Sequence, residues 1–104
     1  MNFRELSENL SMEEDEYMEL IELFIETGIS DLKKLQVAVD EANAKKAVDI
    51  AHSFKGAALN LGLMEFFEIA KQLERTACDG QLKRTAKVAL ALKEKLDTIA
   101  DFVT

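Results

Sequence analysis

The chain has a single histidine, His52, set in the run Ala51-His52-Ser53-Phe54-Lys55-Gly56-Ala57-Ala58-Leu59-Asn60-Leu61-Gly62. An imidazole is largely unprotonated near neutral pH, and a neutral ring nitrogen open to solvent is a good nucleophile. A helix over about residues 44–61 gathers Ala47, Ile50, Ala51, Phe54, Ala57, Ala58 and Leu61 on one apolar arc. His52 falls near the middle of the opposite arc, with Val48, Asp49, Lys55, Gly56 and Leu59 one turn away on either side. The spacing aims the ring outward, and exposure is what transfer chemistry requires.

Its surroundings carry further candidates. Gly56 lies inside the helix, where glycine costs about 1 kcal/mol relative to alanine, and its missing side chain leaves room for another molecule to approach the ring. Lys55 is a point charge suited to phosphate; as an ordinary solvated lysine it would do nothing. Glu74, on the following helix, projects near Phe67 and Ala70 at the edge of an apolar stripe, where an ionised carboxylate needs a partner. By accepting a hydrogen bond from Nδ1–H it would fix the tautomer, free Nε2 and stabilise the positive charge that develops on the ring. A glutamate reaching past the edge to water satisfies the same spacing. No metal site is expected, because a second histidine is absent and Cys78 lies far away in sequence.

The elements that must hold these residues are helices. The sequence has no proline and four glycines, and Ala, Leu, Glu and Lys dominate it. Phe3, Leu6 and Leu10 form a short amphipathic stretch, after which Ser11 and Glu14 make a capping-box pattern that should start a long helix. Its apolar positions are Tyr17, Leu20, Ile21, Phe24, Gly28, Leu32, Leu35, Val39 and Ala42. Asn43 should cap the histidine helix, and Gly62 should close it. A stripe of Leu63, Phe66, Phe67, Ala70, Leu73 and Ala77 follows, ending at the Asp79-Gly80 turn signal. The last helix, residues 81–103, shows Leu82, Ala86, Ala89, Leu92, Leu96, Ile99 and Val103. Four amphipathic helices on short connections read as an all-α, antiparallel up-down-up-down bundle with a short extra N-terminal helix. Gly28, on an inner stripe, is explained by close helix packing.

Size and charge narrow the function. The 104 residues fit one domain, residues 1–104. A formal net charge of −7 with no basic block disfavours nucleic acid. No apolar run approaches the roughly 20 residues of a membrane span, and the first residues do not read as a signal peptide. With one cysteine there is no internal disulfide. These features fit a cytoplasmic protein that does not engage membranes. No GxxxxGK[ST] or kinase-type glycine loop is present, so ATP-dependent kinase activity of its own is not expected.

The run from Ala51 to Gly56, with Leu61-Gly62 and then Ala70, Leu73 and Glu74, resembles the histidine-containing phosphotransfer (HPt) domain of two-component phosphorelays. Phe54 stands where leucine is commoner, and Ala57 and Ala58 replace the small hydroxyl residues often found there. The resemblance implies that His52 is phosphorylated on Nε2 and exchanges its phosphoryl group with receiver-domain aspartates. It implies that Lys55 lies close to the phosphoryl group, that Gly56 opens the docking surface and that Glu74 bonds Nδ1. No cofactor is implied for this chain; Mg²⁺ belongs to the partner receiver. The docking surface should centre on His52 with Val48, Lys55, Gly56, Leu59 and Asn60, joined by Phe67 and Lys71 from the next helix, with Val48 and Leu59 exposed. The partners would be receiver domains of response regulators or hybrid sensor kinases, meeting a monomer because the bundle closes on itself. Other readings are a helical interaction module without covalent chemistry, or the phosphoacceptor domain of a larger histidine kinase. The start at Met1 and the finish soon after the last helix favour an independent protein.

Overall fold

A computed structural model of the chain describes residues 2–103. Along them run α1 (Phe3–Asn9), α2 (Glu14–Asp40), α3 (Ala44–Asn60), α4 (Met64–Cys78) and α5 (Leu82–Val103). The connections are short because each of the first four helices stops the same way. Ser11 and Ala42, both at φ 56°, and Gly62 and Gly80, both at φ 72°, occupy the left-handed region just past a helix end. At Gly62, for example, the amide bonds to Leu59 C=O and the next amide, of Leu63, reaches back to Ala58 C=O. This paired closure satisfies carbonyls that the helix leaves open and turns the chain at once.

Ser11 is thereby spent on ending α1. The Ser11–Glu14 capping box expected from the sequence does not form, since an N-cap needs extended backbone and Ser11 is left-handed. α2 begins at Glu14 behind Glu13, whose side chain makes no capping bond. At α3 the expected cap is present: Asn43 Oδ1 accepts from Lys46 N–H at 3.1 Å.

α2 packs against α3 and α5, and α4 packs against the same two helices from the other side. With short reversing connections this is the up-down-up-down bundle, and α1 lies against α2, where the Phe3 and Tyr17 rings stand 6.5 Å apart. Phe24 ties three helices together, 5.0 Å from Phe54 on α3 and 5.4 Å, edge-on, from Phe66 on α4. Tyr17 donates its hydroxyl to Leu61 C=O, so the start of α2 grips the turn that ends α3. Burial raises the Tyr17 pKa.

The apolar stripe expected on α2 is only partly the buried one. Leu20 and Ala42 are exposed, Val39 is half-buried, and Ile25 and Ala38 belong to the core instead. A helix wedged between two neighbours buries an arc set by where those neighbours sit, and here the arc swings toward Ile25 and Ala38. On α3, Ala57 is likewise exposed. Gly28 has the packing role expected of it. A Cβ there would meet Phe54 Cε2 at 2.8 Å and Leu96 Cδ1 at 3.1 Å, so glycine lets α3 and α5 close on α2. Among the described residues, no helix is long and apolar enough to cross a membrane.

Candidate functional site

His52 stands midway along α3, between the Asn43 cap and the Gly62 closure. Alanines sit fully buried on α3 at Ala47, Ala51 and Ala58 and on α4 at Ala70 and Ala77. Side chains this short permit close approach of packed helices, and α3 and α4 run side by side along the site. Glu74 on α4 therefore lies within reach of two residues one turn apart on α3.

Its carboxylate is bound at both oxygens. Oε2 lies 2.7 Å from His52 Nδ1, and Lys55 Nζ donates to Oε1 at 2.6 Å. An ionised carboxylate only accepts, so Nδ1–H is the donor here, and in the neutral ring Nε2 then keeps its lone pair. The hydrogen bond from Lys55 is the main cause that lowers the Glu74 pKa; partial burial opposes it, and the His52 bond adds to the lowering. The ring itself remains open: the His52 side chain is 71% exposed, against 19% for Glu74 and 24% for Lys55. Of the two readings the sequence left open for Glu74, the structure shows the one bonded to His52, whereas the Lys55–Glu74 pair is not among the readings the sequence suggested for Lys55. Lys55 is held against a carboxylate and does not extend freely into water.

Beside the ring, a Cβ at Gly56 would meet nothing within 4 Å, so its position is open space. Leu59 is 51% exposed and Asn60 lies at the surface next to it. Val48, expected to be exposed, is half-buried against the core, because α4 covers part of that side of α3. From α4, Lys71 is exposed and Phe67 half-buried. Among the described residues, no group of three or more His, Cys, Asp or Glu is placed to hold a metal ion.

Sequence reasoning assigned no α2 residue to this face. The structure puts Leu20, Leu23 and Thr27 of α2 beside Ala57 and Asn60 of α3, around an apolar groove of about 310 Å³. Leu23 is 57% exposed. The available signal was the apolar character of Leu20 and Leu23 beyond the arc the core needs, but a lone exposed leucine is commonplace.

Comparison with known proteins identifies the family and its fold. The crystal structure of histidine-containing phosphotransfer protein B from Pseudomonas aeruginosa PAO1 is similar over 99% of this chain and 90% of that one, with a TM-score of 0.84 and 26% sequence identity. A search of curated proteins finds no match. The family model described as the Hpt domain matches residues 19–102, from α2 nearly to the end of α5, leaving α1 outside. The chain belongs to the Hpt family.

Proposed function

We propose that this chain is a phosphorelay intermediate in which His52 takes a phosphoryl group from the aspartate of one receiver domain and passes it to another. The observation that carries this reading is the exposed ring whose Nδ1 is bonded to Glu74, so that Nε2 alone is left to attack. In the forward step the Nε2 lone pair forms the N–P bond as the P–O bond to the aspartyl carboxylate breaks. The aspartate leaves as carboxylate, and the ring gains positive charge that Glu74 stabilises through Nδ1–H. Return to a second receiver reverses the sequence.

Such a transfer needs positioning and charge stabilisation in line with the reacting atoms. This chain supplies the imidazole, Glu74 and Lys55; charge stabilisation by Mg²⁺ belongs to the receiver. The chain is then a phosphocarrier without kinase activity of its own. The docking surface is Val48, Gly56, Leu59 and Asn60 with Phe67 and Lys71, extended onto α2 by Leu20 and Leu23. The partners are receiver domains of response regulators or hybrid sensor kinases, met in the cytoplasm by a monomer. Incubation with a phosphorylated receiver should place an acid-labile, base-stable phosphate on the protein, and His52→Gln should receive none while keeping its helical content. Full phosphorylation of that variant would refute the assignment.

A further inference from the structure

The first two-thirds of α5 is basic, unlike α2, against which it packs. Residues 82–95 contain Lys83, Arg84, Lys87, Lys93 and Lys95 against one acid, Glu94, in a chain whose net charge is −7. Lys95 is paired with Glu65 and Lys93 with Asp97, whereas Lys83, Arg84 and Lys87 have no ion pair among the described residues. Where this basic segment runs beside α2, the two helices leave a groove of about 220 Å³. Ile29 and Leu32 of α2 and Ala89 and Leu90 of α5 line it, with Lys33 on one wall and Lys93 on the other. Leu90 is 59% exposed and shares the groove with Lys33 and Lys93.

We infer that the α2–α5 groove is a second docking surface, which takes an acidic amphipathic helix of a partner protein. Its apolar floor matches the apolar stripe of such a helix, and lysines on both walls match carboxylates flanking that stripe. The partner is acidic because the residues that line the groove include two lysines and no carboxylate. α5 packs against α2 and α4 and sits diagonally across the bundle from α3. The groove therefore opens on a different face from His52, and a bound helix leaves the imidazole accessible. The inference does not depend on the phosphorelay reading.

The test uses the full ¹⁵N-labelled chain and a synthetic helical peptide with leucines at i, i+3, i+4 and i+7 and glutamates elsewhere. A control peptide carries lysine in place of every glutamate. Titration with the glutamate peptide should shift the amides of residues around Lys33 and Leu90. Binding should weaken by about tenfold in a Lys33→Glu/Lys93→Glu variant and fall as salt is raised. Both lysines are exposed, so the variant should fold, which its amide spectrum checks. Leu90→Gln, which removes the apolar anchor without altering charge, should weaken binding as well. Phosphoryl transfer from a receiver should proceed at an unchanged rate in both variants.

Shifts confined to the His52 face, equal binding of the lysine peptide or no shifts at all would overturn the inference. Concentration-dependent shifts at the groove without peptide would assign it to a second copy of the chain instead. Slower receiver transfer in the variants would make α5 part of the receiver interface and remove the second surface.

Discussion

His52 Nδ1 lies 2.7 Å from Glu74 Oε2, and through Glu74 the histidine is joined to Lys55, one turn along its own helix. The cation expected to meet an incoming phosphoryl group is, in the resting protein, already bound to the carboxylate that orients the ring. Glu74 thus sets the tautomer of one residue and the position of the other.

Replacing that carboxylate should slow phosphoryl transfer. A charge-assisted hydrogen bond contributes about 1.5–3 kcal/mol, so Glu74→Ala should lower the transfer rate by about 10- to 100-fold. Glu74→Gln keeps an acceptor for Nδ1–H and should lose less. Nitrogen NMR of the ring should show a single Nδ1–H tautomer in the parent and a mixture in the alanine variant. Equal rates in all three proteins would remove Glu74 from the mechanism.

The same carboxylate makes stability depend on pH. Its folded pKa is lowered from 4.5, chiefly by the Lys55 bond. The stabilisation is therefore fully present above about pH 4.5 and drains away as pH falls through the lowered value. Chemical denaturation at a series of pH values should show a shallower acid loss for Glu74→Gln than for the parent. Identical slopes would mean that the pairing does not contribute to folding.

The two glycines inside helices should respond with opposite signs. Gly28→Ala pushes a methyl into Phe54 and Leu96 and should destabilise by about 1–3 kcal/mol. Gly56→Ala meets open space and should stabilise by about 0.5–1 kcal/mol, the helix-interior preference for alanine. At Gly56 a bulky residue such as leucine should weaken receiver binding more than folding. Thermal melts that moved in the same direction for both alanine variants would contradict this assignment.

Ala42 closes α2 with a left-handed backbone that its Cβ resists, as φ 56° shows. Relief of that strain outweighs the extra freedom glycine gives the unfolded chain, so Ala42→Gly should stabilise by up to about 1 kcal/mol. Urea unfolding measures it, and a lower midpoint for the glycine variant is the contrary result.

The α2 side of the proposed docking face can be tested at Leu23, which is 57% exposed and outside the core. Leu23→Glu should leave the melting temperature within about 2–4 °C, as surface substitutions change stability by under about 0.5 kcal/mol. It should nonetheless raise the Kd for a receiver by about tenfold, the loss expected for an apolar contact of about 1.4 kcal/mol. Unchanged affinity would confine docking to α3 and α4.

Much of this molecule is written in short stretches of sequence. Helix periods, the Asn43 cap, the Gly62 and Gly80 closures and the outward direction of His52 depend on residues within a turn or two of each other. Backbone geometry alone relates such residues, and so the bundle and the exposed ring are legible in the order of the amino acids. Ser11 shows the limit even of local patterns: its type suits an N-cap, yet in the structure it takes the left-handed position that closes α1. What the sequence left open or did not suggest depends on how whole helices are rotated against one another. That Glu74 reaches His52 across 22 positions while also holding Lys55, that Leu20 and Leu23 border the histidine face, and that basic α5 meets α2 in a groove are all settled by helix rotation. A few degrees of rotation decide which side chains meet, and only the joint packing of the helices sets it.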